Sequence, residues 1–465
     1  MLNRSNLDII ISEQRNFFNS GKTKDVNFRI SQLKLLSSIL VKYEKEILSA
    51  VYEDLKKPEY EAFITEIGGT RLELKYALKN VKKWVKPRKV RAPLSQFKGT
   101  GKIFPEPKGL TLIIGPWNYP FNLLLTPLIG TISAGNCTII KPSELAPESS
   151  KVITNILNSN FAREYIYVIE GDAEIVKELM NYRFDHVFFT GGSRVGKIIM
   201  ELASKKLSPV TLELGGKSPC IVDNSKNLNF QKISDYIISA KYLNCGSTCI
   251  AVDYVLVHKN SKDQLVESFK TSLDKFYGPD IKNSPDYGRI INSNHFKRLV
   301  SLIEGASLLF GGETQESDLY IEPTIVELTL TDGDKPVMQE EIFGPILPVI
   351  VYQSIDDVTK FINSKPKPLA LYLFSNDKIV QNKVITEVPF GGGSINDTLV
   401  HPSLPNLPFG GIGDSGIGSY HGKYSFETFS HLKSVFYRST RFDFTKKYRE
   451  PPYENKLKFV KRFIG

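Results

Sequence analysis

The sequence predicts an α/β fold in which parallel strands alternate with helices in more than one domain. Short apolar runs rich in β-branched residues recur through the first half of the chain, separated by segments long enough for one helix each. A second series of such runs follows in the other half. The chain has 465 residues, more than one hydrophobic core usually holds, so two or three domains are expected.

The first predicted sheet consists of five apolar runs. They lie at residues 110–114, 137–140, 165–169, 186–190 and 210–214. Segment 121–136 carries apolar residues at helical spacing, and Pro147 suits the first turn of the next helix. Ligands of parallel sheets bind at the carboxyl ends of the strands. Lys141 and Glu144 follow one strand and the glycine-rich segment 191–196 follows another, so these residues are candidate ligand contacts.

A second series of strands and helices begins at Cys220 and predicts a second α/β domain. Its further strand candidates are residues 253–258, 347–352 and 369–374. Segment 84–102 is dense in Lys, Arg and Pro, and it interrupts the periodicity between an amino-terminal helical region and the first strand. The sequence contains no internal repeat and no low-complexity tract.

The cysteine content indicates a reducing compartment, so a cytoplasmic protein is expected. Four cysteines are too few and too clustered for a disulfide framework. Cys245 and Cys249 have a spacing that metal sites use, but a second pair of ligands at similar spacing is missing. No metal is therefore expected.

The ends of the chain predict neither a signal peptide nor a transmembrane anchor, because no window approaches about 18 consecutive apolar residues. Residues 456–465 alternate basic and apolar side chains, which leaves two roles open for this tail: weak contact with an anionic lipid surface or packing on a dimer partner. The net charge is +10, but basic and aromatic residues do not interleave as in a nucleic-acid module, so no nucleic acid is expected.

Cys249 and Glu213 form the most informative pair in the chain. Cys249 lies in a run of Gly, Ser and Thr, small residues that leave the sulfur open to a substrate. Glu213 lies 36 residues before Cys249 and offers a carboxylate base. A thiol nucleophile with a carboxylate base indicates thioester chemistry, although free cysteines more often serve as small buried hydrophobes.

Several long motifs, in order, resemble those of NAD(P)-dependent aldehyde dehydrogenases, and most of all the class-three branch that includes the fatty-aldehyde enzymes. The motifs are Gly-Pro-Trp-Asn-Tyr-Pro at 115–120, Lys-Pro-Ser-Glu at 141–144, Phe-Thr-Gly-Gly-Ser-Arg-Val-Gly at 189–196, Glu-Leu-Gly-Gly-Lys-Ser-Pro at 213–219, the Cys249 segment and Glu-Ile-Phe-Gly-Pro at 341–345. Leu-Pro-Phe-Gly-Gly-Ile-Gly at 407–413, Tyr-His-Gly-Lys at 420–423 and Ser-Phe at 425–426 indicate the branch.

The resemblance implies three structural parts. A Rossmann-type, parallel-sheet cofactor domain would comprise residues 1–83 and 103–212, and an α/β catalytic domain residues 213–395. A small β element for oligomerisation, together with the tail, would comprise residues 84–102 and 396–465. In the family, segment 84–102 belongs to a hairpin that strands from near the carboxyl terminus join, and the assembly is expected to be a homodimer.

The resemblance also assigns the catalytic residues. Cys249 would attack the aldehyde carbonyl, and Asn118 with the backbone N–H of Cys249 would stabilise the oxyanion. Glu213 would activate the water that hydrolyses the thioester. Cys245 is a rival nucleophile, one turn away if that stretch is helical, and Asn118 could instead cap the helix that begins near Phe121.

For the cofactor, NAD is expected and NADP stays open. Glu144 resembles the glutamate that reaches the adenosine ribose, with Lys141 beside it; the carboxylate repels a 2′-phosphate and the lysine attracts one. The turn with Gly191, Gly192 and Gly196 would let the backbone approach the pyrophosphate at a helix start. Trp117, Glu341 and Phe343 match further cofactor contacts, the last two at the nicotinamide ribose.

Two positions depart from the family pattern. Gly192 stands where the family more often has Ser, and Ser247 stands where relatives usually carry Gln. We expect Ser247 to change substrate preference without loss of activity, because a shorter side chain widens the entrance or removes a contact.

The predicted function is oxidation of a medium- or long-chain aliphatic, aromatic or polyene aldehyde to the carboxylic acid, through a thiohemiacetal and thioester hydrolysis. Two alternatives stay open: an enzyme that transfers the acyl group to coenzyme A, and a catalytically quiet binding protein with the same fold. Relatives that use coenzyme A generally lack the glutamate at 213, so Glu213 argues for release of the free acid.

Overall fold

The computed structural model describes residues 4–464 except for 94, 95, 97, 442 and 444. Residues 1–3 and 465, which belong to the predictions for the two ends of the chain, lie outside the described residues. The other five omitted positions fall in the predicted segments 84–102 and 396–465 and also lie outside them.

A six-stranded sheet forms the first half of the fold. Its strands, in spatial order, are Gly416–Ile417, Val210–Leu214, His186–Gly191, Leu110–Ile114, Cys137–Lys141 and Ile166–Val168. All neighbours are parallel except Gly416–Ile417, which pairs antiparallel with Val210–Leu214. The five predicted strands are confirmed to within one residue at each end. They were recognisable because strands buried on both faces read as continuous apolar runs.

Helices cover this sheet. They are Asn122–Ala134, Pro147–Asn160, Ala173–Leu179 and Ser193–Ser204 after the strands, and Arg4–Asn19, Val26–Lys42, Glu44–Leu55, Glu59–Ala62, the π-helix Phe63–Gly68 and Gly69–Trp84 before them. The predicted helix at 121–136 and the first-turn position of Pro147 are confirmed. Asn122–Ala134 is buried along nearly its whole length, which explains why its sequence is apolar all round.

A seven-stranded sheet forms the second half. Its order is Leu308–Phe310, Thr324–Thr329, Ile346–Tyr352, Tyr254–His258, Pro219–Val222, Ala370–Phe374 and Gly392–Ile395. Only Leu308–Phe310 pairs antiparallel with its neighbour. The helices of this half are Phe230–Tyr242, Lys262–Tyr277, Ser293–Ile303, Pro336–Gln339, Ile355–Asn363 and Lys378–Glu387, and a two-stranded ribbon joins Thr314–Gln315 to Tyr320–Ile321. The predicted second α/β unit is confirmed.

A three-stranded antiparallel sheet lies apart from the two large ones. Arg88–Arg91 pairs with Thr100–Pro107, which pairs in turn with Ser430–Tyr437. The hairpin and the strand from near the carboxyl terminus are therefore present as expected. The remaining helices are Gly422–Thr428, Lys446–Arg449 and Leu457–Ile464.

The strand Val210–Leu214 continues the first sheet across the predicted boundary between residues 212 and 213. The division into three domains stays a prediction. Among the described residues, no helix is both long enough and apolar enough to cross a membrane.

Candidate active site

The segment before Cys249 is a left-handed turn, not a helix. Asn244, Cys245 and Gly246 have φ of 53°, 51° and 76°. A Cβ at Gly246 would overlap the carbonyl of Gly344, so this position requires glycine. The turn buries Cys245, which is 1% exposed, and leaves Cys249 partly exposed. Of the two candidate nucleophiles, Cys249 is the one that a substrate can reach.

The thiol of Cys249 is protonated at neutral pH in the free protein. Burial of the sulfur, together with the smaller effect of the Glu341 and Glu213 carboxylates, raises its pKa to about 12. A thiol with a raised pKa reacts only when a neighbouring group takes its proton. Both carboxylates are near enough to Cys249 to act on its charge.

Glu213, the last residue but one of its strand, is a buried carboxyl group without a partner among the described residues. It is 3% exposed, and neither of its carboxyl oxygens has a hydrogen-bond partner among the described residues. Burial raises its pKa well above the ordinary value for glutamate. A native protein seldom leaves such a group unsatisfied without a function, because the desolvation cost is not recovered.

Asn118 contacts the loop of the nucleophile. Its side-chain Nδ2 donates to the carbonyl of Ser247 at 2.9 Å, and the residue is 2% exposed. The following helix has Phe121 as its N-cap and no side-chain cap bond. Asn118 therefore does not cap the helix. Its side-chain amide instead contacts Ser247, which precedes Cys249 by two positions in the loop.

Lys141 and Glu144 form an ion pair just after the strand Cys137–Lys141. The Lys141 side chain is 3% exposed and that of Glu144 is 44% exposed. The Lys141 side chain is thus buried at this edge of the sheet, and the Glu144 carboxylate is accessible to solvent.

The glycines of segment 191–196 have different structural roles. Gly191 ends its strand and Gly192 precedes the helix Ser193–Ser204. A Cβ at Gly192 would meet no atom within 4 Å, so the backbone there faces open space. A Cβ at Gly196 would lie 2.6 Å from Leu214 Cδ2, so this glycine allows the helix to pack closely on the sheet.

Trp117, Glu341 and Phe343 meet beside the Glu213 segment. The Phe343 ring lies edge-on to Trp117 with centroids 5.3 Å apart. Glu341 accepts a hydrogen bond from the backbone of Gly216, and burial raises its pKa to about 8. These residues come from distant parts of the chain, so the motifs converge on one region.

The residues that hold the Glu341 loop could not be recognised from the sequence. Lys217 Nζ donates to the carbonyls of Val337 at 2.8 Å and Glu340 at 3.0 Å, and it pairs with Asp253. Asp253 Oδ1 in turn accepts from the Ile342 N–H at 2.9 Å. Lys217 lies within the Glu213 motif, but nothing in the motif indicates its partners.

A second set missed from the sequence lies behind Asn118. Lys57 and Glu66 form an ion pair at 2.9 Å, and both side chains are fully buried. Lys57 Nζ also donates to the Asn118 carbonyl at 3.1 Å. Neither residue belongs to a recognisable motif; only their burial and partners single them out.

Comparison with known proteins agrees with this geometry. The chain matches the model of the aldehyde dehydrogenase family over residues 2–435. It is 50% identical over 454 residues to the 4,4'-diaponeurosporen-aldehyde dehydrogenase of Staphylococcus aureus, covering 97% of this chain and 98% of that protein. It is 44% identical over 455 residues to aldehyde dehydrogenase family 3 member A2 of Macaca fascicularis, covering 98% and 93%. The solved substrate-bound state of Staphylococcus aureus AldH has a TM-score of 0.94 at 49% identity, covering 99% of both chains.

Proposed function

Because this chain belongs to the aldehyde dehydrogenase family and oxidises aldehydes, we propose that Cys249 is its nucleophile and that the product is released as a free carboxylic acid. The observation that carries the proposal is the pairing of a reachable thiol with a buried carboxyl group, Glu213, that has no partner among the described residues. The high identity to named aldehyde dehydrogenases argues against a catalytically quiet protein.

In the first step, the sulfur of Cys249 attacks the aldehyde carbon while its proton passes to the carboxylate form of Glu341, so that Glu213 is still able to take a proton in the last step. The carbonyl oxygen becomes an oxyanion, for which the Asn118 amide and the Cys249 backbone N–H are the proposed donors. Losing one such donor commonly costs about 10²-fold or more in rate. The contact of Asn118 with the Ser247 carbonyl supports this role, because it keeps the amide beside the nucleophile loop.

The residues present fit a dinucleotide. The open backbone at Gly192, just before a 12-residue helix, suits a phosphate group. Gly191 ends the preceding strand, and Gly196 lets the helix pack closely on the sheet. Lys141 and Glu144 would hold the adenosine ribose. When bound, NAD supplies the acceptor for the hydride. We propose NAD first because the Glu144 carboxylate disfavours a 2′-phosphate, and NADP second because Lys141 lies beside it.

At the other end of the cofactor, Trp117, Glu341 and Phe343 would hold the nicotinamide ribose. The edge-on contact of Phe343 with Trp117 gives this wall a fixed shape. The backbone bond from Gly216 orients the Glu341 carboxylate.

In the last step, Glu213 takes a proton from the water that attacks the thioester. A carboxylate with a raised pKa is a stronger base than an ordinary glutamate once it has lost its proton. Hydrolysis releases the acid and returns Cys249 to its thiol form. The same residue argues against transfer of the acyl group to coenzyme A.

We propose a long apolar aldehyde, polyene or fatty, as the substrate. The 50% identical relative is named for its action on 4,4'-diaponeurosporenal, and the match covers nearly the whole of both chains. A homodimer is proposed through the three-stranded sheet. Leu432 and Phe436 on its last strand are 46% and 49% exposed, which suits a face that a second copy covers.

The test is formation of NADH and NADPH at 340 nm with a series of aldehydes from short aliphatic to polyene, for the native protein and for Cys249→Ala. Turnover should rise with chain length and vanish in Cys249→Ala. The matched control is Cys245→Ala, which removes the other thiol of the segment and should retain turnover. Loss of activity in the control alone would reassign the nucleophile.

A further inference from the structure

Given the oxyanion role proposed for Asn118, we infer that Lys57, held by Glu66, is a positioning residue that fixes the Asn118 amide for catalysis. The two side chains are fully buried and form an ion pair at 2.9 Å. From this position Lys57 Nζ reaches the Asn118 carbonyl at 3.1 Å. Lys57 acts through the peptide group of Asn118, whose side chain contacts the nucleophile loop at the Ser247 carbonyl.

The second carboxylate oxygen of Glu66 binds the backbone of the same segment. Its Oε2 accepts from the backbone N–H groups of Phe121 at 3.1 Å and Asn122 at 3.0 Å, at the start of the helix Asn122–Ala134. A carboxylate at a helix start is favoured by the unsatisfied N–H groups there. The ion pair therefore clamps the segment from Asn118 to Asn122 at both ends.

A third contact joins the clamp to the nucleophile loop. Asn244 Nδ2 donates to the Asn118 carbonyl at 2.8 Å and to the Ser247 carbonyl at 3.2 Å. The Asn118 carbonyl thus accepts from Lys57 on one side and from the loop on the other. Fixing both the carbonyl and the side chain of Asn118 leaves its amide one orientation relative to Cys249.

Lys57 also contacts Tyr119, the residue after Asn118, which in turn contacts the nucleophile loop. Lys57 Nζ lies 4.1 Å from the centroid of the Tyr119 ring, and the Tyr119 hydroxyl bonds to Thr248 Oγ1. Lys57 therefore contacts two consecutive residues, each of which reaches the loop that ends in Cys249. Apolar side chains could fill this volume without the desolvation cost of two buried charges, but they could not direct a donor at a chosen carbonyl.

The experiment removes both charges together, as Lys57→Met with Glu66→Gln, so that neither is left buried without its partner. It is done in the native background and in Asn118→Ala, with kcat, the aldehyde KM and NAD affinity from fluorescence titration as readouts. In the native background we expect kcat to fall at least about tenfold with NAD affinity unchanged, since small misplacements of catalytic groups have effects of this size or larger. In Asn118→Ala the same pair of changes should cause no further fall.

Equal falls of kcat in both backgrounds would overturn the inference, as would a fall that merely follows lost NAD binding. If Asn118→Ala itself keeps full kcat, the oxyanion role fails and the inference with it. The conservative variant Lys57→Arg, which keeps the ion pair and moves the donor, serves if the double variant does not fold; its smaller fall should also vanish in Asn118→Ala. The matched control is the exposed pair Lys205–Glu201, 3.0 Å apart, changed as Lys205→Met with Glu201→Gln, which should leave kcat unchanged.

Discussion

The carboxylate of Glu341 lies directly against the backbone of Gly215, so that a Cβ at Gly215 would overlap Glu341 Oε2. The two residues come from separate motifs, one after the strand of Glu213 and the other before the strand Ile346–Tyr352. Their contact joins the proposed hydrolytic base to the proposed nicotinamide contact. A side chain at position 215 must therefore displace the carboxylate of Glu341.

Gly215→Ala should raise the cofactor KM about tenfold and lower kcat, because Glu341 can no longer rest on the backbone of the Glu213 segment. The matched control is Gly192→Ser, where an added side chain meets no atom within 4 Å. It restores the residue that the family more often has, and the cofactor KM should not rise. Steady-state kinetics with varied NAD measures both, and unchanged kinetics in Gly215→Ala would contradict the proposed place of Glu341.

Glu213→Gln should stop the reaction after one turnover. The first NADH per site should appear at the native rate, and steady-state kcat should then fall about 10²-fold or more, the usual contribution of a general base. Rapid mixing followed at 340 nm separates the two phases. A variant with no rapid first phase would place Glu213 in the attack by Cys249 instead of in hydrolysis.

The same variant should be more stable than the native protein at neutral and alkaline pH. The pKa of Glu213 is raised by burial, so the folded state holds the proton more tightly than the unfolded chain. Stability is then complete below the unfolded pKa of about 4.3 and is lost as pH rises through the folded pKa. Glutamine has no such loss, so the Tm of Glu213→Gln should equal the native Tm near pH 4 and exceed it at pH 8, by about 1 °C for each kcal/mol in a chain of 465 residues. A difference in Tm that stays the same from pH 4 to pH 8 would contradict ionisation of buried Glu213 as its cause.

The strands and the motif residues could be predicted because their signals are local. A strand such as Leu110–Ile114 is buried at every position and therefore apolar at every position. Cys249 was preferred to Cys245 because of its position in the motif that resembles the family's, and the left-handed turn that separates the two has Gly246 as its one sequence sign.

The supporting contacts could not be predicted, since they depend on tertiary structure. Lys57 lies 61 residues before the Asn118 carbonyl that it contacts, and Lys217 lies 120 residues before the Val337 carbonyl. A lysine in a sequence normally indicates a solvated surface. Only the tertiary structure shows that Lys57 is fully buried against the Asn118 carbonyl and that Lys217 donates to the carbonyls of Val337 and Glu340.

Ser247→Gln should shift selectivity toward a different chain length without lowering kcat for the best substrate. Ser247 is 2% exposed, and its carbonyl accepts from both Asn118 and Asn244. The backbone of this residue is therefore fixed, and a longer side chain must displace the side chains around it. The ratio kcat/KM across the aldehyde series measures the effect, and an unaltered ratio would show that position 247 does not contact the substrate.

Alkylation of Cys249 by iodoacetamide should become about tenfold faster for each pH unit between 7 and 10, without a plateau. The reactive species is the thiolate, and a thiol with a pKa of about 12 holds only a small thiolate fraction over this range. Removing a nearby negative charge with Glu341→Gln should lower the pKa of Cys249 and speed alkylation at the upper end, where Glu341, with its pKa of about 8, is ionised in the native protein. Mass spectrometry of the labelled protein, with Cys249→Ala as the control for Cys137, Cys220 and Cys245, gives the rate for this one thiol. A plateau below pH 9 in the free protein would mean that a neighbouring group already lowers the pKa of the thiol before substrate binds, and the need for a carboxylate to take its proton would fall away.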